Sequence, residues 1–387
     1  MSSANSAKLK YIEETVFATT PAAALQLIPA TNIGLNATIN TTQSAQISST
    51  RATLDTVRTD GSSGGDIGFE AQYGTYDAFW EGAFASDFLA GQTLTATDIS
   101  AAAGDNSFNS VAAAFDTAQI TPGTIIKVSG FVATANNTLW EVVSCTTAKI
   151  IVTGGTVTTE AAGASVTIKA KDLRDGSTRK SYSLEVEYSD HSPVNYSAYV
   201  GQVVSSASLT SATGSIVNGS FTFSGTEATH STSTIGTGAD LSILSNEVFS
   251  PTGSIGTIFK GGSALTGVCV SSIGLTINAN TRPNTCLGSL FPANVVLGGF
   301  SAQLDLNLYF NEITYLNDFI NGTETSLRWS YTDTSGNTVC FYAPRIKANT
   351  ATIDNIADDQ DIMQTIQFEV LYDTTLGFAL QMSTFAA

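Results

Sequence analysis

Hydrophobic and polar positions alternate with period two along most of this chain, and turn residues separate the runs. That is the pattern of antiparallel strands rather than of βαβ units. In Asp66–Tyr73, the residues Ile67, Phe69, Ala71 and Tyr73 share one face and Asp66, Gly68, Glu70 and Gln72 the other. In Ser181–Ser189, Tyr182, Leu184, Val186 and Tyr188 oppose Ser183, Glu185, Glu187 and Ser189. The same reading predicts strands at Ile125–Ser129, Leu139–Val143, Lys149–Val152, Ser165–Ala170, Ser220–Ser224, Gln303–Phe310, Leu327–Tyr331, Thr338–Tyr342 and Thr365–Tyr372. Helical spacing occurs in two short stretches. Tyr76, Phe79, Trp80, Ala83 and Phe84 form one apolar stripe; Ile313, Leu316, Phe319 and Ile320 form another. Each is expected to lie on a sheet, and the fold class is mainly β.

The order of these elements repeats, which points to an internal duplication. Ile33-Gly34-Leu35 recurs as Ile273-Gly274-Leu275, followed by Ser49-Thr50-Arg51 in one copy and Asn280-Thr281-Arg282 in the other. A loop then closes with Gly64-Gly65 or Gly298-Gly299, and a strand follows with one acid on its polar face, Glu70 or Asp305. Phe79 and Gly82 match Phe319 and Gly322 at a common offset of 240 (319 minus 79). Residues 89–171 have no counterpart in the second copy, and their strand pattern predicts a small β-barrel or Ig-like sandwich inserted at an outward-facing loop tip. The expected organisation is a first β-sandwich domain of residues 1–88 and 172–228 interrupted by the insertion, a Ser/Thr/Gly-rich linker at 229–256, and a second domain at 257–387, each copy with its short helix.

Charge narrows the function. The 387 residues include 16 Lys and Arg against 33 Asp and Glu, a net charge of −17, and only 13% are charged. Such a balance argues against wrapping nucleic acid, which needs clustered cations. A mean hydropathy of +0.12 with so few charges suggests an exterior covered by other copies of the chain. The N-terminus does not read as a secretory signal and no run approaches a membrane span, so assembly in a cytoplasm is expected.

Candidate chemistry is thin. His191 and His230 sit in polar, turn-like sequence. Gly61-Ser62-Ser63-Gly64-Gly65 fits the formula of a nucleophile elbow, but it precedes a strand where that motif needs a strand running into a helix. Asp354, Asp358, Asp359 and Asp361 lack the order of a calcium loop. Cys145, Cys269, Cys286 and Cys340 lack metal or redox spacing and are expected to be mostly reduced, structural thiols. No enzyme, cofactor or metal site is supported; an assembly subunit is.

One resemblance is specific. Glu13-Glu14-Thr15-Val16-Phe17-Ala18-Thr19-Thr20-Pro21, Ser49-Thr50-Arg51 and Gly65-Asp66-Ile67-Gly68-Phe69-Glu70-Ala71-Gln72-Tyr73-Gly74-Thr75-Tyr76-Asp77 are similar to tail tube proteins of long-tailed, siphovirus-type bacteriophages. So are the insertion, through Val128-Ser129-Gly130-Phe131 and Glu160-Ala161-Ala162-Gly163-Ala164, and the second copy, through Leu308-Tyr309-Phe310 and Pro344-Arg345-Ile346-Lys347.

The resemblance implies a virion tail built of stacked rings, each presenting six tube domains whose inner sheets join into one barrel. Two domains per chain then imply a trimer with pseudo-sixfold symmetry. The family also implies tape measure and tail terminator or tip proteins as partners, and transient, non-specific passage of DNA. An acidic lumen would repel phosphate and let the genome slide during ejection. Glu70, Asp305, Glu185, Glu187 and Glu369 are the lumen-facing candidates, although alternation alone leaves open which face points inward. The loops Asn40–Gly64 and Asn280–Leu297, with Arg51, Arg58 and Arg282, are candidates for contact between rings. The alternative reading is a capsid decoration or host-surface-binding β protein.

Overall fold

A computed structural model describes residues 6–47, 49, 52–244, 246–354, 358 and 360–387. It is mainly β, as the alternation predicts, with two α-helices, α1 (Asp77–Phe84) and α2 (Thr314–Asn321). Two sandwiches share one continuous core from Leu9 to Met382.

In the first sandwich, the strands Asn36–Gln43, Thr56–Glu70, Asn218–Gly225 and the C-terminal half of the long strand Asn195–Ala212 form one sheet, in that order. In the second, Val270–Asn278, Ser301–Tyr309, Met363–Val370 and the C-terminal half of Thr338–Ile353 repeat the order. Both long strands are bulged where they meet their partner, at Val204/Ser206 and at Ala348/Thr350. A bulge is a specific insertion into a ladder, so its recurrence aligns the copies independently of sequence likeness. The halves join because Ser206–Ala212 pairs with Ser272–Asn278, Ser206 facing Asn278 and Ala212 facing Ser272. Eight antiparallel strands thus run without a break across both copies.

Each copy also has an outer sheet. Ala7–Glu13, Tyr182–Tyr188, the start of Asn195–Ala212 and Glu227–Ser231 build the first. Glu324–Thr332, the start of Thr338–Ile353 and Gln381–Phe385 build the second. The segment at 229–256 does not hang free. It begins inside a strand, bridges Gln26 at Leu241 and Gln72 at Val248, and buries Phe249 against Tyr331 with ring centroids 5.6 Å apart.

Residues Gln92–Ala170 fold into a separate seven-stranded sheet with its own core around Phe108, Trp140 and Ile168. It seats on the outer sheet of the second copy, where Ile125 packs with Cys340, Tyr342, Phe378 and Phe385. The Tyr342 hydroxyl donates to Glu141 at 2.7 Å and Lys169 Nζ donates to the Ala386 carbonyl at 2.8 Å. Along the strand, Val339 and Phe341 point into the sandwich core while Cys340 and Tyr342 point at the insertion. The insertion is therefore on the side of the sandwich away from the eight-stranded sheet.

Three expectations need correction. Cys269 and Cys286 are exposed rather than structural, Cys269 just before the strand Val270–Asn278 and Cys286 at the start of a surface turn; of the four, only Cys340 is buried. The segment 40–64 is largely an extended hairpin, not a loop, since Thr41 still faces Arg58 and Gln43 faces Thr56. The helices align at an offset of 237 (314 minus 77), not 240: Gly82 lies inside α1, whereas Gly322 ends α2 in a left-handed conformation.

Candidate assembly interface

The core-facing side of the joined sheet carries Ile67, Phe69, Phe221, Ile273, Leu306 and Phe368. Its other side is polar: Asp66, Glu70, Ser208, Ser220, Thr222, Thr276, Gln303, Asp305, Asn307, Gln367 and Glu369, with Lys347 opposite Glu369. Three of the five expected acids, Glu70, Asp305 and Glu369, thus share one surface, and strand alternation places them there.

Register revises the match between the copies. Ile67 faces both Ile33 and Phe221, as Leu306 faces both Ile273 and Ile366. Asp66 is therefore the counterpart of Asp305, and Glu70 that of Tyr309. Asp66 is exposed and accepts from Asn32 Nδ2 at 2.8 Å; Asp305 accepts from Gln303 Nε2 at 3.1 Å. A glycine faces each acid across the sheet, and a Cβ at Gly34 would strike the Asp66 carboxylate. The paired Gly34 and Gly274 were the signal that could have revealed Asp66 from sequence.

Glu185 and Glu187 lie elsewhere, on the first outer sheet. Glu185 is fully buried, 3.3 Å from Lys10 Nζ, and accepts from Thr234 and the Ile235 amide. Glu187 is paired with Lys8 at 2.9 Å and Lys10 at 2.5 Å. Lys10, 3% exposed in its side chain, also meets Asp240 at 2.9 Å. Burial opposes the Lys10 charge, but the surrounding carboxylates outweigh it and its pKa is raised. Glu185 directly, and Glu187 through Lys10 and Asp240, hold the 229–256 segment against the first sandwich, which alternation within one strand could not reveal.

Arg58 and Arg282 are exposed, in the hairpin Asn36–Glu70 and in the small hairpin formed by Arg282–Asn284 and Asn294–Val296. Arg51 lies outside the described residues. The two hairpins meet where the Phe291 ring packs on Gly61.

The joined sheet has two open edges among the described residues. One is 32–43, paired only with Thr56–Glu70. The other is 348–353, paired only with Met363–Val370. The internal seam shows what such edges can do, because the first strand of the second copy and the last strand of the first are the structural equivalents of these two. An unpaired edge is a template for another chain.

α1 seals the internal seam. Phe79 is fully buried against Tyr182 and Phe223, while Trp80 reaches Phe341 and Phe84 reaches Phe300 of the second copy, with centroids 5.6 and 6.2 Å apart. α2 behaves differently. Only Tyr315 is buried, and Ile313, Phe319 and Ile320 face outward. Of the expected apolar stripe of α2, Leu316 is half-buried, while Ile313, Phe319 and Ile320 are left uncovered by the described residues.

No group of three or more metal-ligating side chains occurs among the described residues, and no helix there is long and apolar enough to cross a membrane. The family model described as phage tail tube protein matches residues 4–370. No curated protein matches the chain.

Proposed function

Because this chain belongs to the phage tail tube protein family, a structural component of the virion tail that assembles into a tube, we propose that three copies close edge to edge into a ring and that stacked rings enclose an acidic channel for DNA. The observation that carries this reading is the internal seam. It joins two equivalent edges within one chain, and the same two edges recur, open, at the ends of the eight-stranded sheet. Carrying the bulge-aligned register across places Thr350 opposite Thr38 and Thr352 opposite Asn36 of the next copy. Head-to-tail contacts of this kind form rings when the rotation closes. Closure removes every edge, with three chains supplying eight strands each.

In such a ring the core-facing side of the sheet is covered by the outer sheets and the insertion, so the polar side lines the channel. Asp66, Glu70, Asp305 and Glu369 then stand against Lys347, and a negative potential keeps DNA from resting at any ring. The exposed hairpins carrying Arg58 and Arg282 contact the neighbouring ring, and tape measure and terminator proteins engage the channel and the tube ends. No catalytic step enters this role. The alternative, a capsid decoration or host-binding protein, leaves the two open edges without a use.

Electron microscopy of the purified chain tests the proposal. Hollow cylinders with threefold rings are expected, and a stable monomer at high concentration refutes it. Replacing Glu70, Asp305 and Glu369 with Lys should leave tubes intact and slow DNA ejection; unchanged ejection from intact tubes removes the acidic channel.

A further inference from the structure

We propose that the uncovered face of α2 seats in a groove on the first copy of the neighbouring chain, lined by Tyr188, Asn195, Ser197 and His230, and so acts as a second lock beside the strand seam. This inference rests on the ring reading and assigns the groove and the helix to each other.

Both halves of the contact exist in filled form inside the chain. In the first copy, α1 lies over the seam with Trp80 only 5% exposed, set against Phe341, Tyr331, Val339 and Met382 of the second outer sheet. That sheet is aligned with the first by bulges at Thr325/Leu327 and Tyr182/Leu184. In this alignment the pairs Tyr331–Val339 and Phe341–Met382 correspond to Tyr188–Asn195 and Ser197–His230. Where the second copy has a filled wall, the first has an open groove of about 440 Å³ lined by these four residues. The large side chains have changed with the vacancy: Phe341 and Met382 are replaced by Ser197 and His230, whose Nδ1 lies 2.9 Å from the Ser197 hydroxyl.

The helix side is complementary. α2 packs on the strand Thr338–Ile353, which ends in the open edge, as α1 packs on the strand that forms the internal seam. Ile313 and Ile320 are 61% and 75% exposed, whereas Tyr76 and Ala83, their equivalents at the offset of 237, are 3% and 1% exposed. Pairing the edge 348–353 with 35–40 of a second copy brings that copy's first outer sheet beside α2, in the relation that α1 has to the second outer sheet. The helix therefore meets the groove without any new arrangement of elements. The groove also holds the only two histidines of the chain, His191 stacking on Tyr188 with centroids 6.1 Å apart.

The test uses the full chain with the exposed Cys269 and Cys286 changed to Ser, adding Ile320→Cys and His230→Cys, and a short bismaleimide on assembled tubes. Covalent dimers and trimers are expected only when both new cysteines are present. Tubes that form normally but give no cross-link overturn the helix contact and leave the ring reading standing. If the unmodified chain forms no rings, both fail. As a second measurement, Ile320→Asp alters an exposed position, so the chain stays folded. It should raise the concentration needed for ring formation about tenfold, the loss expected from one buried aliphatic side chain. No change in that concentration overturns the proposal.

Discussion

Asp172→Asn should stabilise the protein above pH 6 and leave it unchanged near pH 4. Asp172 is 1% exposed, on the short strand Asp172–Arg174 that leads out of the insertion and pairs with the C-terminal strand. One carboxylate oxygen accepts from Ser383 Oγ at 2.7 Å, and the other lacks a hydrogen bond, 3.5 Å from an Arg174 nitrogen. Burial outweighs the attraction of Arg174 and lifts the carboxyl from 3.8 to about 6, while burial also lowers the Arg174 pKa, so both partners report that desolvation exceeds their attraction. A carboxyl whose pKa is raised on folding binds its proton more tightly in the native state. Its stabilising effect is complete below the unfolded value and is lost as pH rises from about 4 to about 6. At 1.36 kcal/mol per unit, the ceiling is about 3 kcal/mol, and relaxation around the charge leaves about 1–3 kcal/mol. Asparagine keeps the shape and the Ser383 bond but does not titrate. Urea unfolding of the unassembled chain between pH 4 and pH 8 should give curves that coincide at the acid end, with the variant more stable by that amount at the other. A variant less stable than wild type at pH 8 would refute the reasoning, because it would mean that pairing with Arg174 dominates.

Three further outcomes follow from the same geometry. Successive N–H groups of a strand point to opposite sides, so one of Ala351→Pro and Thr352→Pro removes a donor only from the open edge; that variant should melt within a few degrees of wild type yet form no rings by sedimentation. Trp80→Ala should cost about 3–5 kcal/mol in chemical denaturation, because it empties the joint between the copies where Trp80 meets Phe69, Phe221 and Phe341. Thiol labelling of the unassembled chain at pH 8 should modify Cys269 and Cys286 quickly, the half-buried Cys145 slowly and Cys340 only on unfolding, since burial pushes the Cys340 thiol up to about 12 and that of Cys145 to about 11.

Period-two alternation located eleven strands, from the run at Asp66–Tyr73 to that at Thr365–Tyr372, because the two faces of a half-buried strand are a local property of its residues. It passed over Ala7–Glu13, Asn36–Gln43 and the long strand Asn195–Ala212, whose Ser, Thr, Lys and Gly positions blur the apolar period. The acids of Ser181–Ser189 and of Asp66–Tyr73 look alike in sequence. Yet Glu185 and Glu187 lie beneath the 229–256 segment while Glu70 stands on the joined sheet, because strand alternation carries no information about which sheet a strand enters.

Composition and local pattern were enough to class the protein: a duplicated β architecture, an insertion, a sparse and acidic charge balance, and the motifs shared with tail tube proteins. These are sums and local periods, readable without knowing what touches what. Tertiary structure decided the equivalence of Asp66 and Asp305, the exposure of α2, the open edges at 32–43 and 348–353, and the groove at His230. Each depends on contacts between residues far apart in the chain. Only the folded arrangement shows which strand has a neighbour and which one waits for a second copy.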